Sequence, residues 1–376
     1  MVVGLQGVGV AYGVSSVGAE QRGGGEVADS SGHYRQRCLW VAVVVVLVLL
    51  GLMQVAAAPL MQHLGLSEQG TASAAGYLRA VSLGSPAFAV MLVLRFGADG
   101  MGETRPFLLV GIIGLLVNVL LNYILMWGHW GAPQLGAVGC GYATAIADTV
   151  MLALFVIAYH TNRYLRALAL FRRWVAPQWS TIRDWLVVGL PIAAMLTFEA
   201  GFFGATSLVM ARFGDVPAAA HQIAINFSSV CFMVPLGFAF ATTVRVGHAI
   251  GRGDPDAARR ASWTGVALSL AFACFSAALI LMIPEYIVRL YTASEQVAPL
   301  AVGLLFWAAL FQVFDCLQAS AAGALRGFKD TNWPMLITLV AYLGIGMPIG
   351  TVLALALIVI SEPTRQAYLS YAVFCS

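Results

Sequence analysis

The sequence predicts an all-α polytopic membrane protein: two pseudo-symmetric helical bundles related by a parallel six-span repeat that is incomplete here. Three observations carry this reading: composition, the spacing of long apolar stretches, and an internal repeat. Of 376 residues, 60% are hydrophobic and 10% charged, against about 45–50% and about 25% in a soluble domain. Too few polar side chains remain to cover a water-facing surface, which excludes a soluble enzyme, a nucleic-acid binder and a disordered chain. The net charge of +3 is also too balanced to point to a polyanionic partner.

Nine long apolar stretches follow one another at 39–60, 74–94, 107–127, 137–159, 186–210, 217–242, 264–288, 297–325 and 335–360. Each approaches or exceeds the roughly 20 residues a helix needs to cross a bilayer, where a helix satisfies its own backbone hydrogen bonds. Residues 1–19 form a weaker tenth stretch that reads as a partial span. Without a basic leading region it does not resemble a cleavable signal peptide. The longest polar connection, 160–185, carries Arg163, Arg166, Arg172, Arg173 and Arg183. It predicts an N-terminal lobe over 1–160, a basic linker over 161–185 and a C-terminal lobe over 186–376. Six scattered cysteines lack metal-site or disulfide spacing and read as small apolar residues.

Basic residues give the orientation. Arg22, Arg35, Arg37, Arg95, Arg105, the five linker arginines, Arg245, Arg252, Arg259, Arg260, Arg326 and Lys329 all fall in one alternate set of connections. Only Arg212, Arg289 and Arg365 fall in the other, and Arg79 lies inside an apolar stretch. That asymmetry follows the positive-inside rule, so the basic loops, including 160–185, are expected to be cytoplasmic.

The repeat is read from ordered pairs. Ser-Glu-Gln at 67–69 returns at 294–296, and Arg95, Asp99 and Pro106 return as Arg326, Asp330 and Pro334. Gly18 parallels Gly247, and Trp40 parallels Trp263. Six spans separate equivalent positions, and an even number keeps both copies the same way up in the membrane. A six-span unit predicts that the first span, part of the second, and the last are missing from the chain.

Ionisable groups inside spans each cost about 2.5–3.5 kcal/mol to insert, so they are the candidate functional residues. Three acids lie well inside: Asp148, Glu199 and Asp315. A carboxylate in a low-dielectric cavity can hold a proton, a small cation or a cationic drug, and these options exclude one another. That exclusion is the physical basis of antiport. The alternative for each acid is a packing role, bonded to a neighbouring Ser, Thr or Asn. Arg79 reads as a snorkelling side chain, and His221 as a structural histidine bonded to a loop carbonyl. Aromatic side chains crowd the acids: Phe198, Phe202 and Phe203 around Glu199, and Phe306, Trp307, Phe311 and Phe314 before Asp315. Phe198, Phe311, Phe314 and Asp148 are candidate cavity residues, with cation–π contact as the chemistry. Pro86, Pro191, Pro235 and Pro348 each remove a helix donor and permit a bend; Pro191, eight residues before Glu199, is the candidate hinge.

Several long motifs then become recognisable. GLPIAAMLTFEAGFFG, AAHQIAINFSSVCFMVPLGFAFATTVRVGHAIGRGD, FQVFDCLQASAAGALRGFKDT and LLVNVLLNYILMWGHWGAPQLGAVGCGYATAIA resemble the multidrug and toxic compound extrusion (MATE) family in its bacterial, NorM-like branch. The likeness covers about residues 5–360. It implies two lobes around a central cavity, in a multi-pass protein of the bacterial inner membrane that exchanges sodium ions or protons for organic cations. Glu199 and Asp315 match the family's carboxylates linked to cation or substrate binding, and a sodium ion would be held by this pair. The family's acid in the first span has no counterpart, and no role is carried onto Asp148. A monomer is expected, with organic cations and membrane lipid as partners and neither cofactor nor nucleic acid. The rival readings are a flippase for lipid-linked saccharides, which should show a basic cavity, and an inactive fragment. No Walker motif or intramembrane hydrolase pattern is present.

Overall fold

The structure is a computed structural model that describes residues 15–20, 22, 24, 28–63, 68–166 and 178–350. The start of the weak first stretch, the Ser-Glu-Gln motif's Ser67, linker residues Arg172 and Arg173, and the C-terminal tail with Arg365 lie outside the described residues.

The described residues are helical almost throughout. Long elements are α1 (Ala28–His63), α2 (Glu68–Ser82), α3 (Ser85–Gly100), α4 (Arg105–Trp127) and α5 (Gly136–Thr161). After the short α6 (Arg163–Arg166) come α7 (Trp179–Ala211), α8 (Asp215–Gly251), α9 (Pro255–Met282), α10 (Pro284–Tyr291), α11 (Ala298–Gly327) and α12 (Asn332–Thr338). Among the described residues, eight helical segments are long and apolar enough to cross a membrane, or nine when a bent pair counts as one span. These nine fall on the nine apolar stretches of the sequence.

Three of them differ from simple rods. The stretch 74–94 is broken between Ser82 and Ser85, and its halves bend by 43°. Pro86, expected as a bend inside a span, stands in the first turn of α3, where its missing N–H leaves no bond unmade. The stretch 264–288 ends early because Pro284 starts a separate eight-residue helix, α10. After α12 the backbone widens into π-helical bonding over Leu339–Gly346.

The chain forms two units. Unit 1 comprises residues 1–193 and 244–258; unit 2 comprises 194–243 and 259–376. The division falls inside α7, two residues after Pro191, and again inside α8.

In unit 1, α5 packs against α2, α3 and α4. Small residues make that possible, as expected where helices gain little from hydrophobic association in lipid. A Cβ at Gly141 would lie 2.8 Å from the Ala80 side chain, and one at Gly139 would press on the Leu125 carbonyl. The core holds Leu92, Leu94, Phe96 and Phe155, and the Tyr159 hydroxyl donates to the Leu94 carbonyl at 2.7 Å. By contrast α4 buries only Val110 and Gly114 and exposes a long run of Leu, Ile and Val, the face expected to meet lipid.

Unit 2 has its apolar core in Ile223, Ile280, Ile287, Val288 and Leu305, interleaved with alanines. Buried polar pairs cross it: Gln312 donates to the Ser276 hydroxyl at 2.8 Å, and Ser320 donates to Ser269. Thr243 donates to the Gly323 carbonyl at 2.7 Å, at a crossing where a Cβ on Gly323 would meet Ala239.

Candidate functional site

Glu199 sits on α7 with Phe202 and Phe203 three and four residues later, so all three share one helix face. Asp315 sits on α11, with Phe311 one turn earlier on its face. Tyr342 belongs to the widened segment after α12. Unit 2 brings these side chains together. Phe202 lies 5.1 Å from the Tyr342 ring and 5.8 Å from Phe203, and Phe203 meets Phe311 edge-on at 6.0 Å. The Tyr342 hydroxyl donates to Asp315 Oδ1 at 3.4 Å, a long bond. Glu199 lies within electrostatic range of both Asp315 and Arg326, and Tyr342 within range of both carboxylates.

Local features hold this arrangement. A Cβ on Gly346 would come within 3.0 Å of the Phe202 ring, so glycine leaves the ring its place. Gln318 donates to the Thr338 hydroxyl at 3.4 Å, tying α11 to α12. The hydroxyls of Thr206 and Ser207 bond back to the Phe202 and Phe203 carbonyls and leave the acids alone. Arg326 is buried and donates its Nε to the Ala322 carbonyl at 3.1 Å.

Two half-buried carboxylates edged by four rings can attract a cation, opposed by the Arg326 guanidinium within electrostatic range of Glu199. Each cation bound weakens the field that would hold the next, since unscreened charges interact strongly at low dielectric. The rings offer quadrupole faces to a flat organic cation. No group of three or more His, Cys, Asp or Glu side chains suited to a metal ion occurs among the described residues.

The other sequence candidates fall elsewhere. Phe198 is half-buried beside Glu199 and takes no part in the ring contacts, while Phe314 is 72% exposed. Asp148 lies in unit 1, buried at 9% exposure, with its Oδ2 beside Gly84 at the break between α2 and α3. The hydroxyls of its neighbours Thr144 and Thr149 are spent on the carbonyls one turn earlier. Arg79, expected to snorkel, donates to the Gln54 carbonyl of α1 at 3.2 Å. His221, expected to bond a loop carbonyl, has its Nε2 buried without a partner among the described residues. The repeat's two arginines also diverge: Arg95 pairs with Asp99 at 3.6 Å and lies 3.5 Å over the Phe107 ring, whereas Arg326 turns to Ala322. Sequence reasoning missed Tyr342, whose only signal was a hydroxyl-bearing ring within an apolar stretch.

The MatE family profile matches residues 1–124 and 191–352. A probable multidrug resistance protein NorM of Xanthomonas campestris is 41% identical over 87% of this chain and 71% of its own length. The multidrug resistance protein PmpM of Pseudomonas aeruginosa is 43% identical over 74% of this chain. MdtK of Pectobacterium atrosepticum is 38% identical over 95% of it. The chain spans only 58% of PmpM's length and 64% of that of a NorM protein from Xanthomonas axonopodis. Among solved structures, the eukaryotic MATE transporter AtDTX14 superposes with a TM-score of 0.84 at 16% identity, over 97% of this chain and 79% of that one. A MATE structure in the straight conformation gives 0.82 at 18% identity, over 99% and 86%. With the profile, the relatives and the fold in agreement, the chain belongs to the MatE family.

Proposed function

We propose that this chain is a membrane antiporter in which inward flow of a cation, sodium or proton, drives export of cationic or amphipathic compounds. The names of the NorM and PmpM relatives as multidrug resistance proteins support the export reading. The observation that carries it is the convergence of Glu199 and Asp315 on one ring-lined space of unit 2. Both acids are charged groups kept among apolar helices at a cost of several kcal/mol, an expense that a packing role would not require. A sodium ion here would draw on the two carboxylates together with neutral oxygens such as the Tyr342 hydroxyl. A proton would need only one carboxylate. Pro191 is the hinge in this reading, since it lies two residues before the division of α7 between the units. The protein works as a monomer in the bacterial inner membrane with its basic loops cytoplasmic. A flippase for anionic lipid-linked saccharides would call for a basic lining, whereas this space holds two acids.

The test is efflux of a fluorescent organic cation from energised cells. Glu199→Gln and Asp315→Asn are each expected to reduce export to the level of cells lacking the protein. Export unchanged in both variants would overturn the reading.

A further inference from the structure

A second cluster of charge lies in unit 1, whereas those acids belong to unit 2. The last turns of α8 carry Arg245 and His248, and Arg252 follows one residue beyond α8, at steps of three and four that place all three on one face. Gly247 and Gly251, on the same helix, let the segment 15–20 come close: a Cβ at Gly247 would lie 2.8 Å from that of Ala19. The end of α3 closes another side. A Cβ on Gly100 would lie 3.0 Å from the Ser15 carbonyl, and the Gly100 carbonyl accepts from His248 Nε2 at 2.9 Å. Because a carbonyl only accepts, this bond makes Nε2 the protonated nitrogen and fixes the ring. The following turn at Gly102 has φ +73°, a conformation natural to glycine, and its bare Cα admits the Arg22 guanidinium. These pieces border an open cavity of about 360 Å³ lined by Arg22, Gly102, Val244, Arg245, His248 and Arg252, the three arginines being exposed.

Three guanidinium groups and an imidazole therefore face one space. No ion pair joins Arg22, Arg245 or Arg252 to an acid among the described residues. Of the acids close in sequence to this lining, Asp99 pairs with Arg95, Asp254 accepts the Ala257 amide at 2.8 Å, and Glu20 and Glu103 make no ion pair with these arginines. Like charges gathered this way repel, and a bound anion relieves that repulsion. Arginine's planar fork matches phosphate oxygens in particular. The volume falls in the lower part of the small-ligand range of about 300–1,000 Å³.

We propose that this cavity binds a phosphate-bearing anion, with Arg22, Arg245 and Arg252 holding the phosphate oxygens and His248 forming a fixed wall. The phosphate belongs either to the headgroup of an anionic lipid or to a small soluble anion. The site is independent of Glu199 and Asp315, so it stands apart from the transport reading.

The experiment measures thermal unfolding of the full purified chain in delipidated detergent. One arm adds inorganic phosphate against chloride at equal ionic strength; the other adds phosphatidylglycerol against phosphatidylcholine. A rise in midpoint with inorganic phosphate assigns the soluble source, and a rise with phosphatidylglycerol alone assigns the lipid. In either case Arg245→Gln with Arg252→Gln should raise the half-maximal ligand concentration about tenfold or more, while Arg259→Gln with Arg260→Gln leaves it unchanged. If the first pair does not fold, the exposed Arg22→Gln carries the same test. No shift with either probe, or equal loss of response in both double variants, overturns the proposal.

Discussion

Tyr342 joins the acid-and-ring cluster of unit 2 by chemistry of two kinds. Its ring packs against Phe202, and its hydroxyl reaches Asp315. These contributions are separable by substitution. Tyr342→Phe keeps the ring and removes one neutral-to-charged hydrogen bond, usually worth about 1.5–3 kcal/mol but less here because the bond is long. Efflux of a planar cationic dye is expected to survive with its half-saturating concentration raised about two- to tenfold. Tyr342→Ala removes both contributions and should lower efflux much further, measured side by side in energised cells. Glu199 and Asp315 were legible in the sequence because a carboxylate in an apolar run has few bland explanations. Tyr342 was not, since a tyrosine in such a run fits a core or an interface equally well. Its role exists only where three helices meet. Asp148 was legible as an anomaly, but its neighbour Gly84 lies 64 residues earlier, beyond any local pattern.

At the scale of elements, apolar length located all nine spans but not their breaks, since the stretch 264–288 runs through Pro284, which begins a helix of its own. Length also could not give the place of close helix crossings, because alanine and glycine are equally apolar whether or not another backbone presses on them. Gly323 is such a crossing: a Cβ there would come within 2.7 Å of the Ala239 carbonyl. Gly323→Leu is expected to lower the thermal midpoint by the equivalent of about 1–3 kcal/mol, the usual penalty for overpacking. Gly303, on the same helix with nothing within 4 Å of its Cβ position, provides the control. Gly303→Ala should leave the midpoint unchanged or raise it, since alanine favours helix by about 1 kcal/mol over glycine. Pro191→Ala restores a backbone donor in mid-helix. It is expected to keep the fold by thermal midpoint while slowing dye export severalfold, which export at the parent rate would contradict.

For the whole molecule, the coupling proposal makes a thermodynamic demand. In a one-for-one exchange of a singly charged ion for a singly charged dye no net charge crosses, so the ion's concentration gradient alone drives export, and a tenfold gradient, about 1.4 kcal/mol, sustains a dye ratio of up to about tenfold. In proteoliposomes holding the full chain, an imposed gradient of the coupling ion should accumulate dye toward that ratio, and its collapse should release the dye. Sodium and proton gradients imposed separately identify the ion, and accumulation with neither would defeat the coupling. The positional asymmetry of basic residues and the six-span repeat were both plain in the sequence, because they depend on counting and order alone. The cavity of Arg22, Arg245, His248 and Arg252 was not, because it gathers residues more than two hundred positions apart. The break between α2 and α3 also has a kinetic signature. Gly84 precedes α3 without a side-chain cap, and Pro86 offers no N–H, so the amides of Ser85 and Ala87 lie outside the helical ladder of α3. In heavy water those two protons should be replaced by deuterium well before their neighbours on either side, giving an isotopic mark at a place where hydropathy alone would draw an unbroken rod.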